Sequence, residues 1–331
     1  MEEYKQYIDK LREEYIDTHV IEQERDLLIA ENNIEKRDIK GYHGREILEL
    51  LQNADDAYQK SIENGEKPSC ELEVSIRFID NVLTITNTGT FFDKNGIKAI
   101  VQGNNSPKEG KYIGNKGTGF RSVLNWANKV RIFSGEFAVE FSKEIANGVL
   151  KTIIDKPQII KQIEKNPNLY IPMLAVPQNI EYKGNKDVTT IEIEIDSEKT
   201  NDDFSVMKQL ESIDLRILLF LPNISQIHIV TDDQDITYKR QIKQNRMKTI
   251  ALQKTVASTL EIEESFYVFD KTIPKAIKED NELKDILLSI AVPEDYNLFN
   301  SKNLYSFFPL LDTESPFNCV LHASYYNVPI N

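Results

Sequence analysis

A carboxylate, an amide and a second carboxylate recur on one side of a predicted helix, at Glu49, Asn53 and Asp56. The stretch 45–57 that holds them has no Gly or Pro and is rich in Leu and Ala, which predicts a helix. Positions i, i+4 and i+7 share one helix face, so the three side chains would stand in line. Such a set can activate a water, bind a hard cation and fix a polar ligand. The competing interpretation is a solvated acidic face.

The same helix is expected to face the core with another side. Leu48, Leu51 and Ala54 recur at three-residue steps, which can form an apolar stripe. The helix should run over 44–63 and end near Asn64-Gly65, which is a C-cap signal.

Two further segments are marked by their residue types. A predicted strand ends in Thr-Asn-Thr-Gly at 86–89, and a Gly/Asn/Lys-rich loop runs into Gly-Asn-Lys-Gly-Thr-Gly-Phe-Arg-Ser-Val at 114–123. Glycines allow backbone N–H groups to approach phosphates, and the N-terminus of a following helix favours negative charge.

The elements that must position these segments follow from hydrophobic periodicity. Residues 2–34 predict a long charged helix with a break near 17–19, and 35–43 predict a polar connector. Further helices are predicted at 93–102, 118–127 and 204–221, strands at 71–79, 82–86, 129–134, 137–141, 148–154, 188–195 and 224–230, a hairpin turn at 80–81, and an inserted loop at 156–186. This order favours an α/β two-layer sandwich: a mixed, mainly antiparallel sheet with helices on one face, followed by a smaller α+β segment.

The helix triad, the strand-end Asn with Gly, and the glycine loop that opens a helix together resemble the nucleotide-binding motifs of the GHKL ATPases. That superfamily includes gyrase B, the ninety-kilodalton heat-shock chaperones, histidine kinases and MutL. The run from Gly44-Arg45-Glu46 to Asp56-Ala57 is most similar to the sacsin-type, heat-shock-chaperone-like branch. The resemblance implies the Bergerat fold, ATP and Mg²⁺. It divides the chain into an N-terminal helical segment (1–40), an ATP-binding domain (41–235) and the start of a middle or transducer-like domain (236–331).

With the resemblance, the triad takes roles in phosphoryl chemistry. Glu49 is the candidate general base for a water that attacks the γ-phosphate, and Asn53 is the candidate Mg²⁺ ligand. Asp56 is expected to orient the water shell, bind the ribose side or hold a neighbouring loop.

Asn87 stands where the family usually carries an Asp that accepts a hydrogen bond from the adenine amino group. An amide oxygen accepts a weaker, uncharged bond, which puts tight adenine selectivity in doubt. Gly89 matches the first glycine of that motif. The family's second glycine is replaced by Phe91 in this sequence, which is a departure from the motif. Phe91 or Phe92 either walls the adenine pocket or is a core aromatic. Thr189 resembles the family's strand Thr, with Val188 in place of the preceding Gly.

The glycine loop resembles the family's lid hinge. The residues expected to bind nucleotide there are Gly114, Lys116, Gly117, Thr118, Gly119 and Phe120, with Lys108 and Lys111 reaching from the lid. Arg121 is expected at the surface.

Composition limits other function classes. The 331 residues include 40 basic and 53 acidic side chains, and the net charge of −13 disfavours broad binding of nucleic acid. No apolar run is long enough to span a membrane, the N-terminus is not a signal peptide, and the two cysteines predict no disulfide framework, so a cytoplasmic location is expected.

P-loop, dinucleotide, zincin and nucleophile-elbow motifs do not occur in the sequence. His19, the best N-terminal candidate for a phospho-accepting histidine, fits that role poorly.

The function expected from the resemblance is slow, Mg²⁺-dependent ATP hydrolysis that drives lid closure and homodimerisation. Two alternatives are an ATP-gated switch without meaningful turnover and an interaction scaffold that binds no nucleotide. Sacsin-like ATPases occur in protein quality control and in bacterial anti-phage systems, and the second is favoured here. A protein partner or fused effector domain is expected, since the chain ends where the family continues.

Overall fold

The computed structural model describes residues 2–21, 26–41, 44–65, 70–102, 119–199, 204–244, 247–279, 282–295, 303–306 and 308–323. It is a mixed α/β protein with a large, mainly antiparallel open sheet. The chain divides into two compact units: unit 1 comprises Met1–Ala57 and Arg77–Gln209, and unit 2 comprises Tyr58–Ile76 and Leu210–Asn331. None of the helices in the described ranges is long and apolar enough to cross a membrane.

Unit 1 begins with helices α1 (Glu2–Ile21) and α2 (Leu27–Gly41). The helix predicted over 2–34 does break, but α1 continues past 17–19 to Ile21, and the connector predicted over 35–43 is wrong because α2 continues to Gly41. Polar contacts in the interior explain the difference. Asn32 is buried and donates to the Tyr170 carbonyl at 2.7 Å, so a helix rich in polar residues is still held against the body of the unit.

Helix α3 (Glu46–Glu63) follows the prediction closely, and its C-terminal Gly65 has a φ of +80°. Its buried apolar residues are Ile47, Leu50, Leu51 and Ala54. Leu48 is only half-buried, so the core-facing stripe is rotated slightly from the predicted one.

Strands β1 (Leu72–Ile79) and β2 (Val82–Asn87) form the predicted hairpin. Both turn residues, Asp80 and Asn81, have positive φ (51° and 61°), as a two-residue type I′ turn requires. Helix α4 (Lys94–Gln102) comes next, and a 3-10 helix, Gly119–Asn125, stands where a helix was predicted at 118–127.

The rest of unit 1 is β3 (Ala127–Ser134), β4 (Phe137–Ser142), α5 (Lys143–Ile153), α6 (Pro157–Lys165), β5 (Gln178–Asn179), β6 (Thr189–Ile195) and α7 (Val206–Glu211). Strand order in this part of the sheet is β2-β6-β3-β4-β5, with antiparallel neighbours throughout.

Two predictions in this region are wrong. The strand predicted at 148–154 is part of helix α5, whose Ser142 hydroxyl caps the Ile145 N–H and whose Ala146, Val149 and Ile153 are buried at helical spacing. The predicted loop 156–186 contains α6, which begins with Pro157 at its first position. Both helices pack with Leu28 of α2 in one apolar cluster.

One face of this part of the sheet lies in the core. On β6, Thr189, Ile191, Ile193 and Ile195 are buried, whereas the residues between them are half-exposed. On the half-exposed face Arg131 pairs with Glu140 (2.8 Å), Glu192 (3.6 Å) and Glu194 (3.9 Å). Candidate binding residues must therefore come from the buried face or the strand ends.

Unit 2 is rich in strands: β7 (Ile224–Thr231), β8 (Asp235–Gln244), β9 (Lys248–Val256), β10 (Thr259–Glu279), β11 (Glu282–Pro293), β12 (Asn303–Ser306), β13 (Phe308–Glu314) and β14 (Val320–Ala323). Their order is β13-β12-β14-β11-β10-β9-β8-β7-β1, and β12 and β14 run parallel. The polar stretch 236–250, expected at a domain boundary, lies in β8 and β9. The regular elements described between 236 and 323 are strands, whereas an α+β segment was predicted, and the predicted helix 204–221 is divided into α7 and a 3-10 helix, Leu215–Leu219.

Polar and aromatic side chains join the 3-10 helix of unit 2 to its strands. Arg216 makes a two-pronged pair with Glu264 (3.0 and 2.7 Å), and the Tyr305 hydroxyl donates to Asp214 at 3.1 Å. His322 stacks on Phe220 with ring centroids 4.5 Å apart.

His322 makes unit 2 sensitive to acid. Burial lowers its pKa to about 4, despite opposing contributions from the Tyr305 backbone and Asp270. An unfolded histidine titrates near 6.5, so the unfolded chain binds the extra proton between those values. The free energy of unfolding should therefore be highest above about pH 6.5. It should fall by about 3 kcal/mol as the pH is lowered to about 4. Urea unfolding followed by circular dichroism at stepped pH should show a shallower acid loss for His322→Phe; equal slopes would contradict this.

Candidate functional site

A fully buried carboxylate anchors the start of α3. Glu46 accepts hydrogen bonds from the Gly44 N–H (2.9 Å), Asn125 Nδ2 (2.8 Å) and Gln209 Nε2 (2.6 Å). Gly44 has a φ of +88°, and a Cβ there would lie 2.7 Å from the Phe204 ring. The Gly-Arg-Glu run that marked the resemblance is thus a structural anchor for the helix that carries the triad.

Glu49, one turn into α3, meets the first described residue of the glycine loop. A Cβ added to Gly119 would collide with Oε2 of Glu49 and lie 3.2 Å from its Cδ. The end of the Glu49 side chain therefore lies against the Gly119 backbone, and a side chain at position 119 would require Glu49 to move. Two predicted site residues that are 70 positions apart are in contact.

The other two members of the triad are withdrawn from solvent. The Asn53 amide nitrogen is buried and has no hydrogen-bond partner among the described residues. Asp56 is 5% exposed, and its neighbour Asp55 is 1% exposed. The interpretation of this side of α3 as a solvated acidic face is therefore wrong.

A second group of predicted residues meets at the end of β2. Asn87 lies directly opposite Thr189 of β6, and both are buried. The Gly89 N–H donates to Asn87 Oδ1 at 3.1 Å, which turns the chain just after the strand. The Thr189 hydroxyl is 2.6 Å from the hydroxyl of Ser134 on β3.

Ser134 was missed by sequence analysis. It is fully buried, contacts Thr189, and accepts the Phe92 N–H at 2.9 Å. A lone serine at a strand end gives no pattern, and only its position before the Gly135 turn could have drawn attention. Phe91 is 43% exposed and packs on Gly135, and Phe92 is half-buried, so neither is a fully buried core aromatic.

Phe120 and Arg121 follow Gly119 in the 3-10 helix, and both are 7% exposed. The prediction of a surface Arg121 is wrong. Its Nη2 donates to the carbonyls of Ile100 and Val101, each at 3.3 Å, and its Nη1 lies 3.6 Å from the Glu35 carboxylate.

Several predicted residues lie outside the described part of the chain, in 103–118: Lys108, Lys111, Gly114, Lys116, Gly117 and Thr118. No group of three or more His, Cys, Asp or Glu side chains in the described ranges could hold a metal. A Mg²⁺ held by one amide and phosphate oxygens needs no such group, so the Asn53 assignment stays a prediction.

His19 lies in the interior of unit 1 and is 3% exposed. Its Nδ1 is 2.8 Å from the Tyr15 carbonyl, and its Nε2 is 3.2 Å from the Glu31 carboxylate, which also accepts the Tyr15 hydroxyl. A buried ring with both nitrogens in contact is not placed to accept a phosphoryl group.

The sequence matches no protein-family model and none of the curated proteins with which it was compared.

The contact between Gly119 and Glu49 predicts the effect of adding one methyl group. Gly119→Ala should displace the Glu49 carboxylate, and because the colliding atoms are the end of a flexible, half-buried side chain, it should destabilise unit 1 by about 1 kcal/mol, the low end of the cost of overpacking. Thermal unfolding followed by fluorescence of Trp126, which lies in unit 1, measures this. Gly148→Ala is the matched control, because nothing lies within 4 Å of a Cβ there. Equal melting temperatures for the two variants would contradict the contact.

Proposed function

We propose that this chain is a Mg²⁺-dependent ATP-binding module of the GHKL type that hydrolyses ATP slowly. The observation that carries the proposal is the Glu49 carboxylate lying against Gly119, with Asn53 one turn further along α3, whose buried amide nitrogen has no hydrogen-bond partner in the described part of the chain. Two motifs from the family pattern, far apart in sequence, thus come together. The two-layer Bergerat sandwich with helices on one face is part of the proposal, supported by the open antiparallel sheet with one buried face.

The residues present fit a nucleotide with its metal. A buried polar atom without a partner is costly, so Asn53 Nδ2 suits a position where a ligand oxygen completes its hydrogen bonds. The absence of a side chain at Gly119 would let a ligand approach the backbone closely once the Glu49 carboxylate moves aside. Mg²⁺, with Asn53 Oδ1 as its protein ligand, would draw the phosphates together and neutralise part of their charge.

Glu49 takes the role of general base. Its carboxylate is half-buried and stands on a helix whose start is fixed by Glu46. In this role a carboxylate oxygen of Glu49 accepts a proton from the attacking water. Asp56, buried two turns on, orients the surrounding polar groups.

Asn87 and Thr189 form the base-recognition end of the proposed site. They lie side by side on β2 and β6, and their side chains are held by Gly89 and Ser134. Because Asn87 Oδ1 already accepts the Gly89 N–H, it offers the adenine amino group a shared, uncharged acceptor. Recognition of adenine over guanine is therefore weak in this proposal.

The wider role follows the resemblance. ATP binding would close the lid formed around the glycine loop and favour a homodimer, which acts on a protein partner or fused effector in an anti-phage or chaperone-like system. The second candidate is an ATP-gated switch without significant hydrolysis. The Glu49 contact with Gly119 favours it, since Oε2 is turned onto the backbone of residue 119.

Substitutions in the triad separate these functions. Glu49→Gln should lower ATP hydrolysis by about 10²–10⁴-fold, since it removes a general base, and should leave the affinity for Mg·ATP nearly unchanged. Asn53→Ala should weaken Mg·ATP binding by about tenfold or more, or about 1.4 kcal/mol. Steady-state hydrolysis and isothermal titration measure the two effects. Glu63→Gln, at an exposed position near the end of the same helix, is the control.

The possible results lead to different conclusions. Binding without hydrolysis by the wild-type chain would favour the switch. Absence of any heat of binding with Mg·ATP would overturn the nucleotide site altogether. If Asn53→Ala binds Mg·ATP as well as the wild type does, the metal-ligand assignment is wrong.

Base selectivity provides an independent test. Asn87→Asp replaces the uncharged acceptor with a carboxylate and should raise the preference for ATP over GTP by about tenfold, the order expected when a neutral hydrogen bond becomes charge-assisted. Competition titration of the two nucleotides measures the ratio. Asn128→Asp, at a half-buried position on β3, controls for added negative charge. An unchanged ratio would show that Asn87 does not face the base.

A further inference from the structure

Arg121 is a buried cation that the proposed reaction does not use directly. We infer that it is a positioning residue: its guanidinium holds the 3-10 helix Gly119–Asn125 so that the Gly119 backbone meets the Glu49 carboxylate. The inference rests on the proposed function and adds to it a residue that was given no role in nucleotide binding.

The guanidinium is bound to the end of α4. Its Nη2 donates to the carbonyls of Ile100 and Val101, each at 3.3 Å. These carbonyls belong to the last turn of α4, where no intrahelical donor remains, and a positive charge is favoured at a helix C-terminus. Arg121 thereby joins the C-terminus of α4 to the start of the 3-10 helix.

A buried carboxylate on α2 balances the charge. Glu35 is 4% exposed, and its Oε2 lies 3.6 Å from Arg121 Nη1. Burial, together with Glu35 and its hydrogen bond, raises the pKa of Tyr170, which keeps that phenol protonated as a donor to Glu35. The pair is therefore part of a buried polar network that also includes α2.

The other end of the 3-10 helix is fixed to α3. Asn125 donates to Glu46 at 2.8 Å, and the Ser122 hydroxyl donates to the Gly119 carbonyl at 2.7 Å. With Arg121 at one end and Asn125 at the other, the 3-10 helix has a defined position relative to α3. Gly119, two residues before Arg121, sets where the Glu49 carboxylate rests.

A purely structural role must be separated from positioning. Arg121→Met alone removes the buried cation that faces the Glu35 carboxylate and should lower the melting temperature by about 10 °C. The double variant Arg121→Met/Glu35→Gln removes both charges and should regain most of that loss, because an uncharged pair of similar volume is tolerated.

The experiment compares the wild type, the single variant, the double variant and Arg121→Lys. The readouts are melting temperature, Kd for Mg·ATP, kcat for hydrolysis, and hydrogen exchange of the amides of residues 119–125. Arg216→Met/Glu264→Gln removes an ion pair of the same chemistry in unit 2 and serves as the control.

If Arg121 positions the site, the double variant recovers its melting temperature but keeps a kcat reduced about 10²-fold, the effect of a misplacement of about 1 Å. Its Kd should change less than about threefold, its amides at 119–125 should exchange at least about tenfold faster, and Arg121→Lys should recover part of kcat. The unit 2 control should leave kcat and Kd unchanged.

Recovery of kcat together with the melting temperature would show that Arg121 serves stability alone, with the nucleotide site intact. Should the wild type bind Mg·ATP without turnover, the exchange measurement decides, and unchanged exchange at 119–125 in the double variant overturns the inference. If the wild type binds no Mg·ATP, the proposed function fails and the positioning role fails with it.

Discussion

The arrangement of unit 1 depends on one carboxylate that is removed from water. Glu46 is fully buried, and a buried charge is tolerated only when donors surround it. The three donors come from the turn before α3, the end of the 3-10 helix and α7: Gly44, Asn125 and Gln209. Because one anion needs all three, these segments must meet at the start of α3. The rest of the candidate site follows from where that helix begins.

Helix geometry then carries the constraint to the chemistry. Once Glu46 fixes the first turn of α3, Glu49 and Asn53 follow on successive turns, and the 3-10 helix arrives beside them with Gly119 against Glu49. Arg121 is a second buried charge that fixes the position of an element through its partners. Its contacts with α2 and α4 hold another point of the same 3-10 helix. Buried charges thus act here as fixed points between elements that apolar packing alone would leave free to shift.

The strand ends show a different departure from an apolar core. Along the buried face of β6, isoleucine occupies every inward position except Thr189, which meets Asn87 on one side and Ser134 on the other. An interior row of polar groups lowers stability unless its members satisfy one another or serve a ligand. Here the two hydroxyls hydrogen-bond each other, and Asn87 accepts the Gly89 N–H. The result is a polar surface at the place where the adenine would lie in the proposed site.

Local signals in the sequence were sufficient for α3 with its glycine terminus, the hairpin turn at 80–81 and the alternating strand β6. Each depends on neighbours within a few positions, where propensity and turn chemistry act. The candidate residues Glu49, Asn53, Asn87 and Gly119 came instead from the order of the motifs along the chain and from the family resemblance, and their roles stay predictions. Only the tertiary structure placed Arg121 inside, formed α5 in place of a strand, extended α2 through a polar stretch, and brought Ser134 to Thr189. Those outcomes depend on partners such as Glu35 and Tyr170, many residues away, and a single sequence carries no record of which distant groups will satisfy a buried charge or hydroxyl.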